Sequence, residues 1–344
     1  MRTVFSEDHR LQDGRSELIE GQFVPVNETP RRAEIVIDRI RATKLGEVLP
    51  ARDFGLDPIL RVHDRGLVGF LQTAWEEWAA TGRTFDALPH VWPVPGLGRR
   101  LSDSIDGRLG YYAIDAGTPI MSGTWRAVQA SANVALTGQK LVATGERAVF
   151  ALCRPPGHHA GSDFYGGYCF LNNAGIAAQA FLDQGAKRVA ILDVDYHHGN
   201  GTQQMFYARS DVLTISLHAD PRQEFPYFLG YADEMGEGAG EGYHQNFPLP
   251  WGTDWGRYAD ALELAVKRIQ QYGADALVIS LGLDTFEEDP ISRFKLKHDD
   301  YFRLGERIAW IDLPTLFIME GGYAVEALGV NTVNVLMGFE QRGG

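Results

Sequence analysis

Ala190-Ile191-Leu192-Asp193-Val194-Asp195-Tyr196-His197-His198-Gly199-Asn200-Gly201 starts as an unbroken apolar run and ends in carboxylates, imidazoles and glycine. It reads as a strand buried on both faces whose tip carries a charged site, because apolar packing has no use for that tip. In extended backbone, Asp195 and His197 leave the same side of the chain and can converge on one ion. One carboxylate with one imidazole is half of a zinc site.

Working outward, similar apolar runs recur and alternate with helical periodicity. Strands are expected at Arg2 to Phe5, Arg147 to Leu152, Arg188 to Val194, Val212 to Leu217, Ala274 to Leu281 and Thr315 to Met319. Helices are expected at Arg31 to Ala42, Asp64 to Thr81, Ile120 to Thr144, Asn172 to Gln184, Gly201 to Ala208, Asp254 to Tyr272, Asp299 to Trp310 and Ala324 to Met337. Alternating strands and helices imply an α/β fold with a mostly parallel sheet and helices on both faces. Ser6 to Thr29 reads as a loop. Residues 82–110, with Pro89, Trp92, Pro93 and Pro95 and no sustained period, read as a long insertion that forms a pocket wall or a subunit contact.

Ligands in such sheets bind beyond the carboxyl ends of the strands. Four polar clusters fall at those ends: Arg154-Pro-Pro-Gly-His158-His159, Asp193 to His198, Gly282-Leu-Asp284, and Glu320-Gly-Gly-Tyr323. Asp284 is the expected third ligand, and two carboxylates with one imidazole leave a coordination position open, as catalytic zinc requires. Taken alone, an Asp after a strand is more often a cap or turn residue. His158 and His159 follow a rigid Pro-Pro-Gly turn and read as the groups that deprotonate water and protonate a leaving amine. Each needs a partner on its other nitrogen, and Asp193 and Asn200 are available. Tyr323, brought close by two glycines, reads as a donor to an oxyanion, although a tyrosine opening a helix is usually packing.

Composition bounds the rest. The 344 residues are 44% hydrophobic and 22% charged, so a sizeable core is expected. The net charge of -13, from 45 acidic and 32 basic residues, argues against a nucleic-acid partner and suits a cationic substrate, though solubility alone explains it as well. Two cysteines, Cys153 and Cys169, make no disulfide framework and fit a reducing, cytoplasmic setting. No signal peptide or membrane span is expected.

Arg-Pro-Pro-Gly-His-His, Gly166-Gly167-Tyr168-Cys-Phe-Leu-Asn-Asn, Asp-Val-Asp-Tyr-His-His-Gly-Asn-Gly, Ser216-Leu-His218 and Glu-Gly-Gly-Tyr together resemble the histone deacetylase superfamily, over about residues 147 to 325. The opening Thr-Pro-Arg-Arg-Ala-Glu resembles its amino-terminal segment. Length, acidity and the insertion look like the acetylpolyamine amidohydrolase branch. The resemblance implies one arginase-like catalytic domain spanning 1–344, zinc on Asp195, His197 and Asp284 with iron(II) as the alternative, and a catalytic set of His158, His159 and Tyr323. It also implies a structural potassium ion near Asp193, Asp195, His197, Ser216 and Leu217, and a second near Phe206, Arg209 and Val212. Tyr168 and Phe225 match the aromatic pair lining a substrate tunnel, and Gly167 the carbonyl beside the scissile amide. The classical histone enzymes carry a second aspartate where this chain has Asn200, and His159 is therefore taken as the general base and acid, with His158 as electrostatic support.

The expected activity is deacetylation of small acetylated amines of the acetylputrescine or acetylcadaverine type. The alternatives are an acetyl-lysine peptide deacetylase and a noncatalytic acetyl-amine binding module. A distal ammonium calls for an acid at a narrow mouth, and Glu17, Asp106 and Asp115 are the candidates, the first two preferred. The resemblance further suggests that the insertion packs against a second subunit, making a homodimer.

Overall fold

The computed structural model describes residues 1–19 and 21–341. In chain order the elements are β1 (Arg2–Phe5), β2 (Glu17–Ile19), β3 (Gln22–Val24), α1 (Arg31–Thr43), β4 (Val48–Pro50), α2 (Arg65–Ala80), α3 (Ile105–Tyr112), α4 (Thr124–Ala143) and β5 (Ala148–Ala151). They continue with α5 (Asn173–Asp183), β6 (Val189–Asp193), α6 (Asn200–Phe206), β7 (Val212–Ala219), β8 (His244–Leu249), α7 (Trp255–Tyr272), β9 (Ala276–Leu281), α8 (His298–Ala309), β10 (Thr315–Met319) and α9 (Val325–Gln341).

Among the described residues, eight strands form one sheet in the order β4-β1-β5-β10-β9-β6-β7-β8, every neighbouring pair parallel. The central strands β5, β10, β9 and β6 are buried along their whole length. Parallel strands covered on both faces must be apolar throughout, which is why their sequences do not alternate. Each fully buried Val, Leu or Ile contributes roughly 1.5–3 kcal/mol relative to exposure.

The covering helices carry one apolar stripe each. On α7, Tyr258, Leu262, Ala265 and Ile269 are buried, Asp254 Oδ1 caps the start by accepting from Arg257 N at 3.2 Å, and Gly273 at φ 70° ends it. On α8, Tyr301, Leu304 and Ile308 repeat at helical spacing and pack among α9 residues Val335, Leu336 and Phe339.

The structure corrects the expected outline in several places. Ser6 to Thr29 is not a plain loop: Glu7–Leu11 forms a 3-10 turn, and β2 pairs antiparallel with β3. Helix α4 begins at Thr124 rather than Ile120, because Ile120 exchanges backbone hydrogen bonds with Ala87 and Gly123 lies against the Leu11 carbonyl. The carboxyl-terminal part of the 82–110 insertion is helical, since α3 starts at Ile105. The insertion folds back onto that helix: the Val91 carbonyl occupies the space a Cβ on Gly110 would need, and Trp92 Nε1 donates to Ala113 O at 3.0 Å. Among the described residues no helix is long and apolar enough to cross a membrane.

Candidate functional site

Sheet order sets the site. The tips of β5, β10, β9 and β6 are neighbours, and each carries one of the four polar clusters, so the His pair, Tyr323, Asp284 and the Asp195–His197 pair lie side by side.

At the tip of β6, ligand atoms of Asp195, His197 and Asp284 all lie within 4.8 Å of one another, in a buried setting. His197 Nδ1 is 2.9 Å from Asp284 Oδ2 and 3.5 Å from Asp195 Oδ1. Burial and the nearby Asp195 charge push the Asp284 carboxyl up to about 7. Two buried carboxylates this close repel, and a divalent cation relieves the repulsion, so the donor set fits zinc or iron(II). Glycine is required around it: a Cβ on Gly282 would meet Asp195 Oδ2 at 2.0 Å, and one on Gly321 would meet both Asp195 and Asp284.

Two tyrosines brace these ligands from the helical layer. Tyr258 on α7 donates its hydroxyl to Val194 O at 3.1 Å, and Tyr301 on α8 donates to Leu283 O at 3.1 Å, so each holds the peptide just before a ligand carboxylate. Outer partners of this kind typically contribute about 10–100-fold to metal affinity. Tyr258→Phe and Tyr301→Phe are each expected to weaken divalent-metal binding at this cluster about tenfold, at the low end because they act through backbone. Competition with a chromophoric chelator measures it, and unchanged affinity in both variants would remove the bracing role.

The two imidazoles sit 4.0 Å apart, centroid to centroid. His158 Nδ1 faces Asp193 Oδ2 at 2.9 Å, and His159 Nδ1 faces Asn200 Oδ1 at 2.7 Å. Asn200 Nδ2 donates to His159 O at 3.5 Å, which turns the amide oxygen toward the ring. Both rings therefore carry a proton on Nδ1, and in the neutral His159 ring Nε2 is left as the free base. Burial disfavours charge on His158, but Asp195 and Asp193 outweigh it and raise its pKa to about 10. His159 is held well below the usual range by burial, with His158 and His197 adding to the effect.

Tyr323 follows β10 and is held from three sides. Its N–H donates to Asp289 Oδ2 at 2.7 Å, Arg32 Nε donates to Gly322 O at 2.6 Å, and the Arg32 guanidinium lies 4.8 Å from its ring centroid. Burial keeps the phenol far above its ordinary pKa, so it stays a donor. Phe225 stands 5.0 Å from the His159 ring, and Tyr168 stands 5.5 Å from the Tyr323 ring. Gly167, at φ 56°, presses on His159 so closely that a Cβ would lie 2.3 Å from the ring.

The three expected acids have different surroundings. Glu17 is buried, accepts from Asn27 N at 2.8 Å and Asn27 Nδ2 at 3.0 Å, and hydrogen-bonds the Tyr168 side chain. Asp115 accepts from Gly117 N, Thr118 Oγ1 and Gly167 N, so it braces the Gly166-Gly167 turn instead of facing outward. Asp106 is engaged by Arg83 on the insertion at 2.7 and 3.0 Å, which holds its carboxyl below the usual range.

Residues named for potassium lie on adjoining elements. Asp193 on β6 is in register with Ser216 on β7, Leu217 follows it, and Ser216 Oγ is 2.7 Å from His218 Nδ1. Phe206 closes α6, Arg209 N donates to Phe206 O at 2.9 Å, and Val212 opens β7.

Several contributors have no sequence signature. Asp289 accepts from three backbone N–H groups, those of Ile291, Tyr323 and Ala324. Glu28 Oε1 is shared by two buried guanidinium groups, Arg32 at 2.7 Å and Arg154 at 2.8 Å. Glu224 accepts from the Tyr196 hydroxyl at 2.8 Å and Trp251 Nε1 at 3.2 Å beside Phe225. The signal available was the Asp-Pro pair at 289–290, which names no partner.

Comparison with known proteins follows the same lines. The histone deacetylase domain model matches residues 26–338. Acetylpolyamine amidohydrolase 2 of Pseudomonas aeruginosa is 63% identical over 340 residues, 99% of each chain. Acetylpolyamine amidohydrolase of Mycoplana ramosa is 49% identical over 338 residues, 98% of this chain and 99% of the other. The crystal structure of an acetylpolyamine aminohydrolase from Burkholderia pseudomallei superposes with a TM-score of 0.94 at 38% identity, covering 98% of both chains.

Proposed function

Since this chain belongs to the histone deacetylase family, in its acetylpolyamine branch, and is a hydrolase of amide bonds, we propose that it removes acetyl groups from N-acetylated diamines and polyamines, giving acetate and the free amine. The observation that carries this reading is the convergence of a three-ligand cluster, an unequal imidazole pair and a protonated phenol beyond four neighbouring strand tips.

Asp195, His197 and Asp284 would hold zinc, with iron(II) as the alternative. Bound there, the ion supplies Lewis acidity to the carbonyl and acidifies water. His159 Nε2 takes the proton of the attacking water as the C–O bond forms. Tyr323 donates its O–H to the oxygen on which negative charge collects. His159 then returns the proton to the amine nitrogen as the C–N bond breaks. His158, charged through Asp193, stabilises the developing anion. Phe225 and Tyr168 exclude water along the tunnel, and Gly167 offers its carbonyl to the scissile N–H.

Glu17 is the acid best placed to add negative potential, because it touches the tunnel through Tyr168. Asp106 would serve only in competition with Arg83. The insertion exposes Phe85, Val94 and Leu97 at 60, 60 and 72% of their surface, which supports a homodimer built on this segment. Structural potassium at the two places named above belongs to the same proposal.

Two measurements test the reading. Chelation is expected to abolish turnover and zinc to restore it; activity in a metal-free preparation would end the proposal. Acetylputrescine is expected to exceed an acetyl-lysine tetrapeptide in kcat/KM by at least ~10-fold, which is a 1.4 kcal/mol difference in transition-state binding. Preference for the peptide would favour the acetyl-lysine alternative.

A further inference from the structure

Glu320 has no place in the chemistry above, yet it is completely buried between the two groups that perform it. It follows β10 directly, three residues before Tyr323, and β10 lies beside β5, whose tip carries the histidine pair. Its Oε2 accepts from Gly157 N at 2.6 Å and from His158 N at 3.2 Å. Its Oε1 has no hydrogen-bond partner among the described residues. Its own N–H donates to Leu281 O at 2.9 Å, and its carbonyl accepts from Arg32 Nη2 at 2.6 Å.

The turn Arg154-Pro155-Pro156-Gly157-His158 explains why an acceptor is needed there. Both prolines lack an N–H, so Gly157 and His158 carry the first free donors after Arg154, and the sheet offers them no strand partner. Left unpaired in this buried setting, each would cost the full desolvation of an N–H. The turn has no room to move the other way either, because a Cβ on Gly157 would meet Asn173 N at 2.5 Å.

We infer that Glu320 is a positioning residue: by accepting the N–H groups of Gly157 and His158 it locks the histidine turn to the strand end that carries Tyr323, and so sets the spacing between proton-transfer and oxyanion groups. Gly321 N donates to Asp195 Oδ2 at 2.8 Å and Gly322 O accepts from Arg32 Nε at 2.6 Å, so the Tyr323 side of the spacing is already held, and the clamp ties the histidine turn to it. What matters is an acceptor oxygen at Oε2, and an amide supplies one as well as a carboxylate does.

Backbone amide exchange and steady-state kinetics on Glu320→Ala and Glu320→Gln test this, the first independently of any activity. The consequence for turnover rests on the amidohydrolase reading; the exchange does not. In the wild type and Glu320→Gln, the amides of Gly157 and His158 should exchange slowly, and in Glu320→Ala about 100-fold faster, as expected for loss of a buried acceptor. Turnover should fall about 30-fold in Glu320→Ala with KM within about threefold, and Glu320→Gln should recover to within about fivefold of wild type. Slow exchange in Glu320→Ala, or turnover in it within threefold of wild type, overturns the inference. So does Glu320→Gln behaving like Glu320→Ala, since charge would then be the requirement. Should the alanine variant fail to fold, the glutamine variant decides alone: protected and active amides support the clamp, exchanged and inactive ones refute it. A wild type that hydrolyses no acetylated amine would sink the proposed function and leave the exchange result to judge the clamp.

Discussion

Alanine at His159 is expected to lower kcat about 10³-fold, and alanine at His158 about 10²-fold, both with zinc still bound, within the range general acid–base groups contribute. The order follows from the partners of Nδ1. His158 donates to the Asp193 carboxylate and His159 to the Asn200 amide oxygen, at 2.9 and 2.7 Å. A carboxylate stabilises imidazolium and an amide does so far less, so His158 stays charged where His159 is neutral. His158, raised by Asp195 as well as Asp193, and His159, held low by burial, differ in the same direction. Only a neutral imidazole can accept the proton of the attacking water, and it must then release that proton to the amine.

The pH dependence carries the same sign. Protonating the base on the acid side removes activity, so the acid limb of kcat/KM reports His159 and lies below the ordinary histidine range. Asn200→Asp places a carboxylate on His159, favours its imidazolium, and should move that limb to higher pH. Turnover falling more in His158→Ala than in His159→Ala, with metal content equal, would reverse the assignment.

How much of this could be read beforehand depended on the range of the interaction. β6 and β9 are visible as apolar runs because both faces are buried, and their polar tips stand out against that background. β4 is three residues ending in Pro50, and β8 contains Pro248 with His244 and Asn246, so neither edge strand has a pattern to find. α3 was hidden by Gly107 and Gly110, which weaken any helical reading; Gly110 is there because the Val91 carbonyl passes against it. The convergence of Asp195, His197 and Asp284, and the histidine pair beside them, were legible because each is a short motif at a strand end. Asp289, Glu320 and Arg32 were not, because each acts on backbone groups of a remote segment, as Glu320 does on His158 across 162 positions. A single sequence shows the side chain but not the N–H or C=O it will meet. The same blindness affected the acids: nothing local distinguishes Asp106, which Arg83 neutralises, from Glu17, which sits on Tyr168.

Tyr323→Phe is expected to reduce kcat about 10²–10³-fold, or roughly 2.7–4 kcal/mol of transition-state stabilisation, with KM within about threefold. The phenol is not needed to hold the turn. Asp289 binds the backbone N–H of Tyr323, Arg32 binds the carbonyls of Glu320 and Gly322, and Gly321 N donates to Asp195 Oδ2 at 2.8 Å. Phenylalanine keeps the ring under the Arg32 guanidinium and beside Tyr168, so the substitution deletes one O–H and little else. The ground-state amide carbonyl is a weaker acceptor than the oxyanion it becomes, and a donor fixed in a buried site without solvent reorganisation therefore discriminates in favour of the transition state. That places the loss in kcat. A rise in KM with kcat unchanged would mean that the hydroxyl binds substrate and transition state alike, and the oxyanion role would have to pass to another donor.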